Sequence, residues 1–212
     1  MADEREQLQV GLAQLALPSP LVERQIDQLM VYLALLVKWN KAYNLTAIRD
    51  VGEMVAKHLL DSLSIAPYLQ GQRFLDVGTG AGLPGIPLAI CFPDKHFELL
   101  DSNGKKTRFL QQVVAELGLT NCLIHRARIE SCGLAPDYDG ILSRAFASLA
   151  DMAEACGPLL RREGVLLAMK GQYPGEELSQ LPKPYIVMGS HLLAVPGQAG
   201  GRHLLVLARD TG

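Results

Sequence analysis

Phe74-Leu75-Asp76-Val77-Gly78-Thr79-Gly80-Ala81-Gly82-Leu83-Pro84-Gly85 carries an apolar strand into alternating glycines and then into a helix. A residue without Cβ takes positive φ easily and lets a ligand approach the backbone, and a helix next in the chain presents N–H groups at its start. A plain tight turn requires fewer glycines than this. Downstream, short apolar runs alternate with amphipathic stretches, which is the pattern of βαβ units. Strands are expected at 74–77, 96–100, 122–125, 140–143, 165–169, 185–191 and 203–208. Leu110, Val113, Val114 and Leu117 form one helical face ending at Gly118, and Leu149, Met152, Ala153 and Cys156 form another. Pro182, Pro184, Pro196 and the glycines at 197, 200 and 201 turn the C-terminal region into a hairpin instead of a further helical crossover. The expected fold is therefore α/β, with a mainly parallel seven-stranded sheet over residues 71–212.

Upstream of the glycines the texture is helical. Val22, Ile26, Leu29, Leu33 and Leu36, then Val51, Met54, Val55, Leu59 and Leu63, recur at three- and four-residue steps. Residues 1–70 are expected to form a helical N-terminal extension. Pro18 and Pro20 are expected at the start of its second helix, and Asn44-Leu45-Thr46 at the end.

Bulk properties narrow the function classes. The 212 residues are 49% hydrophobic and 20% charged, enough for a sizeable core and inconsistent with disorder. A net charge of −2 argues against a wholly basic nucleic-acid coat but leaves room for a local basic patch. Cys91, Cys122, Cys132 and Cys156 match no zinc or redox spacing, so reduced thiols and no metal centre are expected. The start, Asp3-Glu4-Arg5-Glu6, lacks the order of a signal peptide. The longest apolar run, 29–37, is about half of the roughly 20 residues a bilayer requires. A cytoplasmic protein without membrane contact is expected.

Two cofactors compete for the glycine loop. Gly80, Gly82 and Gly85 satisfy the dinucleotide spacing G-x-G-x-x-G, with Asp101 standing 19 residues after Gly82. The frame Asp76-x-Gly78-x-Gly80-x-Gly82 is closer to the first motif of class I (Rossmann-like) methyltransferases. A carboxylate at Asp76 favours the cationic end of S-adenosylmethionine and would oppose a pyrophosphate. Asp101, closing the second strand, can accept hydrogen bonds from ribose hydroxyls or cap the next helix. Glu130 and Arg144 come after strands three and four, along the carboxyl edge where open α/β sheets bind ligands.

The nucleophile to be methylated is constrained by missing chemistry. Ser143-Arg144-Ala145-Phe146 stands where exocyclic-amine methyltransferases carry Asn/Asp-Pro-Pro-aromatic, and Cys156 falls on the apolar face of a helix, away from a pyrimidine nucleophile's place. A ring nitrogen with a free lone pair, such as guanine N7, needs no proton removed, so positioning and electrostatics suffice. The absence of an obvious base permits that reading without requiring it.

Together with the glycine loop, Trp39-Asn40-Lys41-x-Tyr43-Asn44-Leu45-Thr46, His58-Leu59-Leu60-Asp61-Ser62 and Ser143-Arg144-Ala145 resemble the RsmG (GidB) methyltransferase family, over most of the chain. The resemblance implies an S-adenosylmethionine-dependent enzyme acting on guanine N7 of small-subunit (16S) ribosomal RNA, with that RNA or the small subunit as partner. It implies cofactor contacts from Gly78 and Leu83, Ile129 and Glu130 beside the adenine, and Arg144 lining the site. Asp76, Gly80 and Asp101 join the cofactor set on physical grounds, and Arg144 is the expected catalytic residue.

Trp39 and Tyr43, one turn apart with Lys38 and Lys41 near, offer stacking planes beside cations for RNA, or a core-facing aromatic pair. Lys105, Lys106 and Arg108 crowd a helix start that the macrodipole disfavours for cations, which suits a phosphate backbone; Arg126, Arg128, Lys170 and Arg202 extend the patch. His58 and Asp61 either reach the site or fill a buried polar pocket. Rival readings are a small-molecule methyltransferase, a nicotinamide-dependent dehydrogenase and a non-catalytic RNA-binding module.

Overall fold

The computed structural model describes residues 2–144 and 146–210. Ala145, part of the strand-four motif, lies outside the described residues. Helices α1 (Ala2–Gln14) and α2 (Glu23–Tyr43) open the chain. Pro18 and Pro20 sit in the connection between them, not in the first turn of α2, which begins after Val22. Asn44 ends α2 in the left-handed conformation at φ 50°, and Lys41 lies in its last turn, where the macrodipole favours a cation. The next helical stretch is composite. A short α3 (Val51–Met54) runs into a π-helical segment (Val55–Leu60) and a final turn, α4 (Asp61–Leu63).

Strands β1 (Arg73–Val77), β2 (His96–Leu100), β3 (Cys122–His125), β4 (Tyr138–Ser143), β5 (Leu160–Lys170), β6 (Tyr185–Leu193) and β7 (Arg202–Arg209) form one sheet in the order β3-β2-β1-β4-β5-β7-β6. The first five are parallel, and β7 runs against both β5 and β6. All seven expected strands are present, with ends shifted by a few residues.

Alternation along the strands sends side chains to two cores. Phe74, Phe97, Leu99, Leu142 and Leu167 pack with the N-terminal helices, α5 (Gly85–Cys91) and α6 (Gly104–Leu117). Leu75, Val77, Leu100, Ile141 and Leu166 pack with α7 (Leu149–Cys156) on the other face. The N-terminal helices thus share one continuous core with the sheet. Asn103 caps α6 by accepting the Lys105 N–H, and Gly118 closes it at φ 61°. Ser148 caps α7. The short α8 (Gly175–Ser179) precedes the hairpin. The four cysteines are unpaired, and three are buried. Among the described residues, no helix is long and apolar enough to cross a membrane, and no cluster of His, Cys, Asp or Glu could hold a metal ion.

From β1 the chain moves outward through β2 to β3, then returns to β4 on the other side of β1. That reversal puts a switch point at the carboxyl ends of β1 and β4, the place where open α/β sheets take ligands. Ser143 Oγ donates to the Val77 carbonyl at 2.8 Å and ties the two strand ends together.

Candidate functional site

The glycine loop leaves β1 at this switch point. Gly78, Gly80 and Gly82 all take positive φ, at 69°, 62° and 94°. The glycines do not all lack a side chain for one reason. A Cβ on Gly82 would sit 2.5 Å from Ile86 Cγ1, and one on Gly85 2.8 Å from Asp76 Oδ2, so these two serve packing. Around Gly80 the nearest atoms to such a Cβ are Lys106 Nζ at 3.8 Å and the Gly78 carbonyl at 3.9 Å, so that stretch of backbone is open.

Most of the loop's own N–H groups are used internally. Gly78 N–H donates to the Leu100 carbonyl at 2.9 Å, Gly80 N–H to Asp101 Oδ2 at 2.9 Å, and Leu83 N–H to the Thr79 carbonyl at 2.9 Å. Gly85 N–H donates to Asp76 Oδ2 at 2.8 Å, so a carboxylate already occupies the start of α5. The sequence suggested donors waiting at that helix start, and in the structure they are taken by Asp76 and by Gly82, whose carbonyl accepts from Ile86 N–H at 2.7 Å. A pyrophosphate placed there would meet a carboxylate, which weighs against a dinucleotide.

Asp76 is 1% exposed. Its Oδ2 also accepts from Thr79 Oγ at 2.7 Å, whereas its Oδ1 is buried with no hydrogen-bond partner among the described residues. Burial pushes its carboxyl up to about 6; the Thr79 and Gly85 donors and the Arg144 charge oppose the rise, and Asp101 adds to it. Because the folded value lies above the unfolded one, the stabilisation is complete below the ordinary value near 3.8 and is lost as pH rises through about 6. Asp76→Asn keeps an oxygen for Thr79 and Gly85. It is expected to gain up to about 3 kcal/mol over the parent protein at pH 8 and almost nothing at pH 4, the linkage value for this shift. Urea unfolding at the two pH values checks this, and a difference independent of pH would contradict it.

Asp101, just after β2, is 8% exposed. It is not a helix cap: Oδ2 accepts from Gly80 N–H and Oδ1 from Asn103 N–H at 2.8 Å, so the carboxylate links the loop to the α6 approach. Each oxygen retains a second lone pair for a ligand hydroxyl. Lys106 Nζ lies 3.6 Å from Asp101 Oδ2, which brings this lysine to the loop and away from its expected partners Lys105 and Arg108, both exposed on α6. Ile129 and Glu130 form a turn of 3-10 helix (Ile129–Ser131) after β3, half-buried and exposed respectively. Leu83 is buried in the core.

Arg144 comes directly after β4, across the switch point from the glycine loop, with its side chain 23% exposed. Its Nη1 lies 3.1 Å from Oδ2 of Asp61, a carboxylate 0% exposed, and Arg202 holds the same carboxylate from β7. His58, on the π-helical segment, accepts or donates at Thr46 Oγ at 2.9 Å. Burial first and the Arg144 charge second hold His58 down to about 4, so it is neutral at physiological pH. Tyr32, fully buried on α2, donates its hydroxyl to the Ala81 carbonyl in the glycine loop at 2.8 Å. Asn40 receives the Thr46 N–H at 2.9 Å and donates to the Ile48 carbonyl at 3.1 Å. The N-terminal helices thus touch both the loop and Arg144. Sequence reasoning missed Tyr32 entirely, because a buried tyrosine on an apolar helical face reads as packing.

Trp39 and Tyr43 part company. Trp39 donates Nε1 to Gln112 Oε1 at 3.1 Å and packs 5.6 Å from the Phe109 ring, wedged between α2 and α6. Tyr43, 5.1 Å from Trp39, is exposed, with Lys105 Nζ 6.0 Å from its ring centre. Lys41 is exposed beside it, and Arg108 folds back on the Gly104 carbonyl. Arg126 and Arg128 are exposed, whereas Lys170 pairs with Glu177 and Arg202 with Asp61. Those last two are structural and not part of a free basic patch.

A family profile described as rRNA small subunit methyltransferase G matches residues 25–205. Ribosomal RNA small subunit methyltransferase G of Saccharophagus degradans is 58% identical over 188 residues, covering 89% of this chain and 84% of that protein. The protein of the same name from Marinobacter nauticus is 55% identical, with 96% and 94% covered. Among solved structures, TrmN from Thermus thermophilus aligns with a TM-score of 0.57 at 19% identity, over 82% of this chain and 52% of that one. The ribosomal protein L11 methylase of Lactobacillus delbrueckii subsp. bulgaricus aligns at 0.55 and 17% identity, over 71% and 77%. These structural likenesses give the fold, that of class I methyltransferases. With a switch-point glycine loop facing an arginine after β4 and relatives matched nearly end to end, the chain belongs to the rRNA small subunit methyltransferase G (GidB) family.

Proposed function

We propose that this chain transfers a methyl group from S-adenosylmethionine to N7 of a guanine in small-subunit ribosomal RNA, acting in the cytosol on that RNA or on the small subunit. The observation that carries the reading is that the glycine loop and Arg144 leave neighbouring parallel strands, β1 and β4, at the same edge of the sheet. The cofactor fits the residues present: Gly78 and Gly80 expose backbone, Asp101 has lone pairs to spare, and Asp76 Oδ1 is a buried acceptor without a partner among the described residues. When bound, S-adenosylmethionine supplies an electrophilic methyl on a sulfonium. Gly78, Gly80 and Leu83 would hold it from the loop, Asp101 its ribose, Ile129 and Glu130 its adenine, and Asp76 would favour its positive charge through the field of a buried carboxylate.

Arg144 orients the incoming guanine or a flanking phosphate. No group needs to remove a proton, because N7 attacks with a free lone pair. That demand suits a site where His58 is engaged by Thr46 and Tyr32 by Ala81. Tyr43, Lys41, Lys105 and Arg108 would meet the RNA along the exposed ends of α2 and α6, with Trp39 backing Tyr43 and Lys106 at the edge of the cleft. Residues 1–70 would act as an RNA-facing extension of the 71–212 methyltransferase domain.

Incubation with radiolabelled S-adenosylmethionine and either small-subunit RNA or intact small subunits tests the reading. The label is expected on one guanine that becomes sensitive to borohydride and aniline cleavage, the behaviour of an N7-methylated base. Label on an exocyclic amine, on a pyrimidine or on neither substrate would overturn it.

A further inference from the structure

Asp61 is the deepest charge near the site, and its surroundings are unusual. Its carboxylate is fully buried at the end of the π-helical segment, where its backbone N–H reaches back to the Ala56 carbonyl, five residues earlier. Such segments add a residue to a helical turn and re-aim the side chains beyond it, and they recur at functional sites. Here the re-aimed side chain meets two guanidinium groups from distant parts of the sheet.

The two arginines hold it differently. Arg202 grips both oxygens, Nε to Oδ1 at 2.7 Å and Nη2 to Oδ2 at 3.0 Å, the fork geometry that fits a carboxylate best. Arg144 meets it through charge: its Nη1 lies 3.1 Å from Oδ2 as an ion pair without hydrogen-bond geometry, so this buried nitrogen has no hydrogen-bond partner among the described residues. One carboxylate cannot neutralise two guanidinium groups, and neutral His58 adds no charge, so the Asp61, Arg144 and Arg202 group keeps one positive charge. Arg202 is saturated at its fork, whereas Arg144 is drawn in by charge and keeps its donors for another acceptor.

We propose that Asp61 is a positioning residue for methyl transfer: anchored by Arg202, it holds the Arg144 guanidinium at the carboxyl edge of the sheet through a buried ion pair, its donors ready for an anionic or carbonyl acceptor on the substrate. This rests on the placement of Arg144 in the site. A side chain with several rotatable bonds would otherwise sample many positions, and a buried anchor removes that freedom before substrate arrives. The anchor lies in the N-terminal helices and the held group in the sheet, so the extension completes the site as well as covering it.

The test is a double-mutant cycle on kcat with S-adenosylmethionine and small-subunit RNA, with Tm measured for each variant. Asp61→Asn is expected to lower kcat about 10-fold or more, with affinity for S-adenosylmethionine within about threefold of the parent. In the Arg144→Ala background it should then lower kcat less than about twofold, because the group it holds is gone. Should Asp61→Asn fail to fold with two guanidinium groups uncompensated, the pair D61N/R202M removes anchor and partner together and leaves Arg144 unheld. The same loss of kcat is expected there. Parental kcat in a folded D61N or D61N/R202M protein, or losses that multiply fully with Arg144→Ala, would overturn the proposal. Full activity of Arg144→Ala alone would sink the placement of Arg144, and this role for Asp61 with it.

Discussion

Valine at position 78 is expected to take S-adenosylmethionine binding out of the range of calorimetry, a loss of about 100-fold or more, while the protein still folds. Gly78 sits at φ 69°, where a side chain is disfavoured by about 1–2 kcal/mol and a β-branched one by more. Its N–H is held by the Leu100 carbonyl, so the backbone cannot simply rotate out of the strain. Whether the loop yields or the side chain stays, the exposed backbone beside Gly80 is lost. Gly78 itself is exposed at the sheet edge, so the cores on both faces of the sheet survive, and Tm should fall by only a few degrees. Near-normal affinity for S-adenosylmethionine in Gly78→Val would contradict the assignment of this loop to the cofactor.

Arg144→Ala is expected to lower methyl transfer by about 100-fold, the scale of removing one preorganised electrostatic group from an active site. The fold should tolerate it well. Asp61 keeps both contacts from Arg202, so no buried carboxylate is stranded by the substitution. Arg144→Lys should recover little, because an ammonium lacks the planar set of donors. Single-turnover assays on small-subunit RNA, with circular dichroism to verify folding, check both variants. Activity within threefold of the parent for Arg144→Ala would remove this residue from the mechanism.

Much of the sheet was legible because each strand is a short apolar run between breakers, and local pattern is enough to mark such runs. The end of α6 was legible for the same reason, since Gly118 is a local signal. The glycine loop was readable as a ligand loop, yet its glycines did not announce their separate tasks. Gly82 and Gly85 answer to Ile86, Leu110 and Asp76, contacts made only once α5 has packed. Lys106 read as one of a basic trio and instead reaches Asp101 across the start of α6. Trp39 read equally as a stacking plane or as core, and its bond to Gln112 of α6 shows that packing claims it.

From residue order alone came the α/β class, the strand positions, the helical character of the first 70 residues and the place of the glycine loop between strand and helix, because periodicity and turn chemistry act over a few residues. Tertiary structure alone decided that Asp61 is shared by Arg144 and Arg202, that Tyr32 supports the glycine loop, and that Asp76 occupies the start of α5. These are pairings across many residues of chain, and a charge or hydroxyl in a sequence carries no mark of the partner that will satisfy it once both are removed from water.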